Sequence, residues 1–432
     1  MLLLACSPAR FVRSETLDPG FPEQPVQTWL TEPEVVTERE ELTRWLDQGP
    51  FTDFYPGIGV AVVVNSQPVY IHYVNSGPDK AYGMASITKI FTGLAIMQLV
   101  DSGKLDLDQA VEDAIPGLKL QRVGLSTEAV RIRHLVSHLG GLPDLRYYHR
   151  DDYLSKEENP LDFRIPRPIY PPGQHYRYSN QGFMILGKVI EAVSGMPLKD
   201  YYQRHIFDPL DMQGAHVRAR YSGAFGLRLT LPDLIKFASF WMRKGLNHRG
   251  ERLLSRKAIH QMMQAPYYFP AGTNFDYCGV AWRVKRDASG VQQFFHIGGA
   301  DGIMVWLQIF PRLNAAVMYL ANPYEMKPEV MGRIPYLQYR LGKFASAIVH
   351  ARQLPSDFEE SKADGSRDVF LSGAYESNLS GRQIEVLMDS ENERQRALLK
   401  WNTGLRETLE SGTTRHYFGT RTGIKYDFIF TA

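Results

Sequence analysis

Gly83-Met84-Ala85-Ser86-Ile87-Thr88-Lys89-Ile90-Phe91-Thr92 opens the segment on which the fold of the chain turns. From Ser86 to Ser102 the apolar residues Ile87, Ile90, Phe91, Leu94, Met97, Leu99 and Val100 cover most of a helical surface, and Gly103 supplies a stop. A helix that is apolar nearly all round belongs in the interior. Ser86 falls in its first turn, and Lys89, three residues on, faces the same spot. A serine hydroxyl is a poor nucleophile until a base takes its proton. A lysine takes it when burial and neighbours lower its pKa, and the positive end of a helix favours the negative charge that develops. The spacing alone is weak, since chance supplies about one Ser-x-x-Lys in a chain of this size. Its plain alternative is a capping serine followed by a solvated lysine. The apolar surroundings argue against that, because an idle Lys89 would be a buried charge without a partner.

Two more motifs follow in order. Tyr178-Ser179-Asn180 comes after Pro171-Pro172-Gly173 and opens a helix over 180–194, with Met184, Ile185, Val189, Ile190 and Val193 inward and Gly195 as its stop. A phenol near a lysine can share base and acid duties, and the Asn180 amide can hold the lysine and orient an acyl substrate. Taken alone, a packed tyrosine and a capping asparagine explain the same residues. His296-Ile297-Gly298-Gly299 ends a strand over 291–297. Glycine lets a backbone come close to a ligand. A backbone N–H here, paired with that of Ser86, would form an oxyanion hole, often the largest catalytic contribution. The plain alternative is a glycine turn over 298–302 leading to a second strand at 303–310.

These motifs lie within longer segments, Ile132-Arg-His-Leu-Val-Ser-His-Leu-Gly-Gly-Leu-Pro143, Pro172-Gly-Gln-His-Tyr-Arg-Tyr-Ser-Asn-Gln-Gly182 and His296 to Pro311 with Asn322. Together they resemble the penicillin-recognising serine hydrolases, in particular the group of class C β-lactamases, D-alanyl-D-alanine carboxypeptidases and related esterases. The resemblance covers roughly residues 36–350. It implies an α/β (α+β) fold: an antiparallel sheet flanked by helices, a mainly helical region, and a site between them. It also implies Ser86 as nucleophile, Lys89 and Tyr178 as general base and acid, and Asn180, His296, Gly298 and Gly299 against the substrate. The N–H groups of Ser86 and Gly299 would form the oxyanion hole, with no cofactor and no metal.

One departure matters. Where lactamases of the group usually carry Lys-Thr-Gly, this chain has His296, Ile297 and Gly298. The hydroxyl is gone, and the charge becomes one that depends on pH. A site that cannot pair a substrate carboxylate discriminates poorly in its favour. The expected activity is therefore hydrolysis of an ester or amide through an acyl-serine, as an esterase, amidase or D-amino-acid peptidase, with weak or no β-lactamase activity. The alternatives are a true β-lactamase or D-alanyl-D-alanine carboxypeptidase, and a non-catalytic penicillin-binding-like sensor on the same fold. His134 and His138 have a spacing that binds metal from a helix, but no acidic residue stands between them and the resemblance makes them structural.

The bulk composition fits a globular chain, with 44% hydrophobic and 22% charged residues. A net charge of +2 without a basic run gives no footprint for nucleic acid; the resemblance implies a small-molecule or peptide acyl substrate as the partner. No stretch is long and apolar enough to span a bilayer. Two cysteines, Cys6 and Cys278, make neither a disulfide framework nor a metal cluster; Cys278 is expected in a buried strand. Met1-Leu-Leu-Leu-Ala-Cys6 resembles the end of a lipoprotein signal without its positive start. A lipid anchor at Cys6 would place the protein in the bacterial cell envelope; otherwise the segment is a short disordered tail and the protein cytoplasmic. The expected organisation is a truncated signal and linker over 1–34, the hydrolase domain over 35–352, and a small C-terminal β domain over 366–432. Within the hydrolase domain, 58–64 and 69–74 read as a hairpin. The aromatic stretch 146–172 and Tyr267-Tyr268-Phe269 suggest either a ring-stacking groove or ordinary packing.

Overall fold

The computed structural model describes residues 10–11, 29–47, 55–263 (without 121–122, 124–127 and 144–167), 267–268, 277–286 and 292–322 (without 301), then residues 337, 340, 341 and 344 and the strands between 373 and 427. Cys6, most of the aromatic stretch 146–172 and Phe269 lie outside the described residues. The chain divides into two compact units, residues 1–26 with 56–322 and residues 27–55 with 323–432.

In the first unit the strands are β1 Arg10–Phe11, β2 Ile58–Val64, β3 Gln67–Val74, β4 Tyr82–Gly83, β5 His216–Ser222, β6 Phe225–Leu229, β7 Tyr267–Tyr268, β8 Tyr277–Cys278, β9 Arg283–Arg286, β10 Gln292–Ala300, β11 Ile303–Phe310 and β12 Ala315–Ala321. Nine of them form one antiparallel sheet in the order β1-β7-β8-β9-β10-β11-β12-β2-β3, and β4-β6-β5 form a small second sheet. Every residue of β2 and β12 is buried, as their unbroken apolar runs require of central strands. The helix Leu231–Met242 packs on β2, close enough that a Cβ at Gly59 would lie 3.2 Å from Leu231 Cδ2. It starts with a capping box in which Thr230 and Asp233 satisfy each other's backbone N–H groups.

The helix Thr88–Asp101 is buried except at Gln98, Val100 and Asp101, as its all-round apolar surface foretold. Phe91 stacks on Phe237 with ring centroids 3.9 Å apart, which joins this helix to Leu231–Met242; burying such a ring contributes about 1.5–3 kcal/mol. Three details differ from the sequence expectation. Ser86 lies in a 3-10 turn, Ala85–Ile87, just ahead of the helix proper. The first hairpin turns on Asn65 and Ser66 alone, both at positive φ, the tight geometry that matches strand twist, so Gln67 and Pro68 already belong to β3. Gly298, Gly299 and Ala300 are not a turn: they extend β10 and pair with Val305, Met304 and Ile303 of β11.

The second unit contains the helix Pro33–Asp47, with Val35, Leu42 and Leu46 buried. The helical residues 337, 340, 341 and 344 present buried Leu337, Leu341 and Phe344, and the Arg340 guanidinium donates to Glu41 at 2.7 Å. By sequence these residues group with the hydrolase domain; by their contacts they cluster with the C-terminal strands. Those strands, from Gly373–Glu376 to Lys425–Asp427, form a six-stranded antiparallel meander.

Candidate active site

Ser86, Lys89, Tyr178 and Asn180 converge although 94 residues separate the first from the last. Lys89 is wholly buried. Its ammonium donates to Ser86 Oγ at 3.1 Å, to Asn180 Oδ1 at 2.7 Å and to the Ala224 carbonyl at 2.9 Å. All three N–H bonds of a lysine are thereby used, which answers how a buried charge is tolerated here. The Tyr178 phenol donates to the same Ser86 Oγ at 2.6 Å. Ser86 Oγ thus accepts from two groups that can each carry a proton, at the range general acid–base chemistry needs.

Local chemistry sets each position. Ala85, immediately before Ser86, holds φ at +40°, a region that residues with a Cβ seldom occupy and that recurs at functional turns. Ser179, not Asn180, caps the helix Asn180–Ser194, accepting from Gly182 N–H at 3.1 Å. Capping by the serine leaves the Asn180 carbonyl for Lys89, so the capping-asparagine alternative does not hold. The Ala224 carbonyl comes from the tight β5–β6 turn. Next to it the Gly223 carbonyl accepts from Thr92 Oγ1 at 2.5 Å, and a Cβ at Gly223 would lie 2.1 Å from the Phe183 carbonyl. Sequence reasoning missed this turn. Its only signal is the Ser222-Gly223 dipeptide, which marks a turn but not its neighbour.

The two glycines of the third motif divide their work. Gly298 is buried, and a Cβ there would lie 2.3 Å from the Met84 carbonyl and 2.3 Å from Val305 Cγ2. It lets β10 press against the turn that carries Ser86, a packing role in addition to the substrate contact expected of Gly298. Gly299 is exposed, and among the described residues a Cβ there would meet nothing within 4 Å. Among the described residues, open space therefore lies in front of the strand beside the turn that carries Ser86.

A family model described as Beta-lactamase matches residues 42–337. The chain belongs to the beta-lactamase family. Among curated relatives of this beta-lactamase-family chain, Protein flp of Staphylococcus aureus is 30% identical over 37% of the chain and 34% of its own length. Penicillin-binding protein 4 of Amycolatopsis lactamdurans is 24% identical over 62% of the chain and 81% of its own length. The chain thus spans about a third of the first and most of the second. The solved octameric penicillin-binding protein homologue from Pyrococcus abyssi shares the fold, with a TM-score of 0.58 and 22% identity over 90% of this chain and 93% of that one.

Within this beta-lactamase-family site His296 differs from its sequence expectation. It is 1% exposed, and its Nδ1 donates to the Ile297 carbonyl at 2.9 Å. Burial, the Arg283 guanidinium and the Lys89 ammonium all push it well below the usual 6.5. The imidazole is neutral around pH 7, with Nε2 as its acceptor; it is not the pH-dependent cation that the sequence suggests. Ile297 packs with Leu139, Cys278, Phe295 and Tyr176, so the apolar side chain has an apolar setting. Cys278 is in a strand and buried, as expected, and burial pushes its thiol up to about 12. A cation that sequence reasoning missed is Arg283 on β9. Its guanidinium carbon lies 5.6 Å from the centre of the Tyr178 ring, and it hydrogen-bonds Tyr176.

The two spaced histidines do not share a helix face. The helix Ile132–Val136 ends before His138, whose φ is +59°. His134 Nδ1 accepts from Arg131 N–H and His138 Nδ1 from Ser179 N–H, each at 3.1 Å. Burial, then the charges of Arg133 and Arg131, lower His134 to about 4; burial foremost lowers His138 well below 6.5. A histidine held neutral in the fold protonates first in the unfolded chain. Stability is therefore highest above pH 6.5 and falls as pH drops, for His134 through the window from 6.5 to about 4. Each such histidine can remove up to about 1.4 kcal/mol per pH unit. Thermal unfolding at pH 7, 6 and 5 should show a steadily falling Tm; a flat Tm over that range would rule out the neutral assignment.

Proposed function

We propose that this chain is a serine hydrolase that cleaves an ester or amide through an acyl-serine intermediate on Ser86. The observation that carries this is the shared approach of Lys89 Nζ and Tyr178 Oη to Ser86 Oγ, at 3.1 and 2.6 Å. Ser86 Oγ attacks the acyl carbon while its proton passes to the Lys89–Tyr178 pair, which first gives up one proton to become either a neutral Lys89 amine beside the phenol or a Tyr178 phenolate beside the ammonium. The N–H groups of Ser86 and Gly299 receive the oxyanion. The pair then protonates the leaving group, and the acyl-serine forms as the scissile bond breaks. Water, giving its proton to the same pair, attacks the ester and returns Ser86 to its starting state. Asn180 orients Lys89 and lies where an acyl amide can reach it.

The acyl substrate we favour is an ester, an amide or a D-amino-acid peptide rather than a β-lactam. A neutral His296 and an apolar Ile297 cannot pair a carboxylate as Lys-Thr-Gly does. One observation favours the D-alanyl-D-alanine carboxypeptidase alternative: Arg283 places a permanent cation beside Tyr178, where a terminal carboxylate can find a partner. The penicillin-binding relative is consistent with a place in the cell envelope, and we extend that to a lipid anchor at Cys6. We further propose a hydrolase domain over 35–352 and a separate β domain over 366–432.

The test combines a fluorophosphonate probe, read by intact-protein mass spectrometry, with p-nitrophenyl esters, D-amino-acid peptides and a chromogenic cephalosporin. One probe per chain on the Ser86 peptide, with turnover of an ester or peptide, is expected. Neither labelling nor turnover would make the chain a non-catalytic sensor. Lactamase-like cephalosporin hydrolysis would overturn the substrate preference.

A further inference from the structure

We propose that His138 is a positioning residue for the Tyr178 phenol, gripping the chain on both sides of that tyrosine. The His138 carbonyl accepts from Arg177 N–H at 2.8 Å. Its ring Nδ1 accepts from Ser179 N–H at 3.1 Å. Between these two anchors the Tyr178 ring lies against the imidazole, with centroids 4.5 Å apart and planes tilted by 33°. Phe183 closes on the imidazole at 4.9 Å and Tyr176 at 5.7 Å. One residue thereby sets the backbone before the phenol, the backbone after it, and the surface its ring rests on.

The residue type follows from two demands. The position has φ +59°, which histidine, asparagine and aspartate tolerate better than most side chains with a Cβ. It also needs a buried acceptor one bond beyond Cγ, because Ser179 is buried and a buried N–H must be paired; His138 is only 5% exposed. The Ser179 N–H requires a lone pair on Nδ1, so the neutral ring carries its hydrogen on Nε2. Burial, with Lys89, His296 and Arg283 nearby, favours that neutral form. The grip matters to chemistry because Tyr178 has a single productive direction, toward Ser86 Oγ. A displacement of about 1 Å at such a group costs about 100-fold in rate.

This inference rests on Tyr178 acting in proton transfer, and the experiment separates the two. His138→Asn keeps an acceptor at the place of Nδ1 and tolerates the backbone; His138→Gln moves its acceptor to the place of Nε2. With a p-nitrophenyl ester, His138→Asn is expected to keep kcat within about fivefold of the parent. His138→Gln is expected to lose about 100-fold in kcat with KM changed less than about threefold. In a Tyr178→Phe background the same His138→Gln change should cost less than about threefold, because there is no phenol left to aim. Equal activity of the Asn and Gln variants overturns the inference, and so does a full 100-fold loss in the Tyr178→Phe background. If Tyr178→Phe alone keeps parental kcat, the tyrosine's role fails and the positioning role with it. If His138→Gln does not fold, the Asn variant decides: a loss beyond about tenfold in kcat at parental Tm overturns the inference.

Discussion

Ser86→Ala is expected to lower kcat on the best ester or peptide substrate by roughly 10³- to 10⁶-fold, and Lys89→Met by a similar factor. The double variant should be no worse than the weaker single one. Groups that act as one unit lose their joint contribution when either is removed, so their losses do not multiply. Here the unit is visible in the contacts. Lys89 reaches Ser86 Oγ directly, and its other two hydrogens go to Asn180 and Ala224, leaving it no second task. The Met substitution also separates chemistry from folding. It leaves the buried Ala224 carbonyl without its Lys89 donor, at about 1–3 kcal/mol, but it removes a buried ammonium, whose desolvation works the other way. Tm should therefore move far less than activity. A Ser86→Ala protein with parental turnover would exclude the acyl-serine route, and losses that multiply in the double variant would show that Lys89 acts apart from Ser86.

Gly298→Ala should damage the site without touching a catalytic group. The new methyl would lie 2.3 Å from the Met84 carbonyl, and that carbonyl anchors the nucleophile turn by accepting from Ile87 N–H at 2.9 Å. A backbone oxygen cannot swing aside as a side chain can, so β10 and the turn must separate. Overpacking of this kind costs about 1–3 kcal/mol, and moving Ser86 by about 1 Å should cost about 100-fold in kcat. Gly299→Ala is the internal control. Its methyl enters open space, and its stability should stay within about 0.5 kcal/mol of the parent. Urea unfolding of the two variants checks the contrast. Equal stabilities would mean that Gly298 does not hold the strand against the turn.

The contrast between these neighbouring glycines shows what a one-dimensional reading can carry. Both were legible as places where backbone comes close to something. Which faces the turn and which faces open space depends on the pleat of β10 and on its register with β11, where Gly298 pairs with Val305 and Gly299 with Met304. The same limit applies to His296. Its type suggested a titrating charge, yet strand alternation puts it on the buried side near Arg283 and Lys89, and burial makes it neutral. Arg283 and the Ala224 carbonyl carried no usable signal, because neither belongs to a short motif.

By itself the sequence determined the nucleophile helix, the Ser86–Lys89 pair and the order of the three motifs. Those features are local: apolar periodicity marks the helix, and a three-residue spacing puts two side chains on one face. The tertiary structure alone decided which partners complete the pair. Tyr178 arrives from a segment gripped by His138, Asn180 from a helix capped by its neighbour, and the third acceptor for Lys89 from a turn wedged against Phe183. The contacts of Ser86 and Lys89 with Tyr178, Asn180 and Ala224 join parts of the chain about ninety or more residues apart, and only the packing of buried surfaces brings them within hydrogen-bond reach.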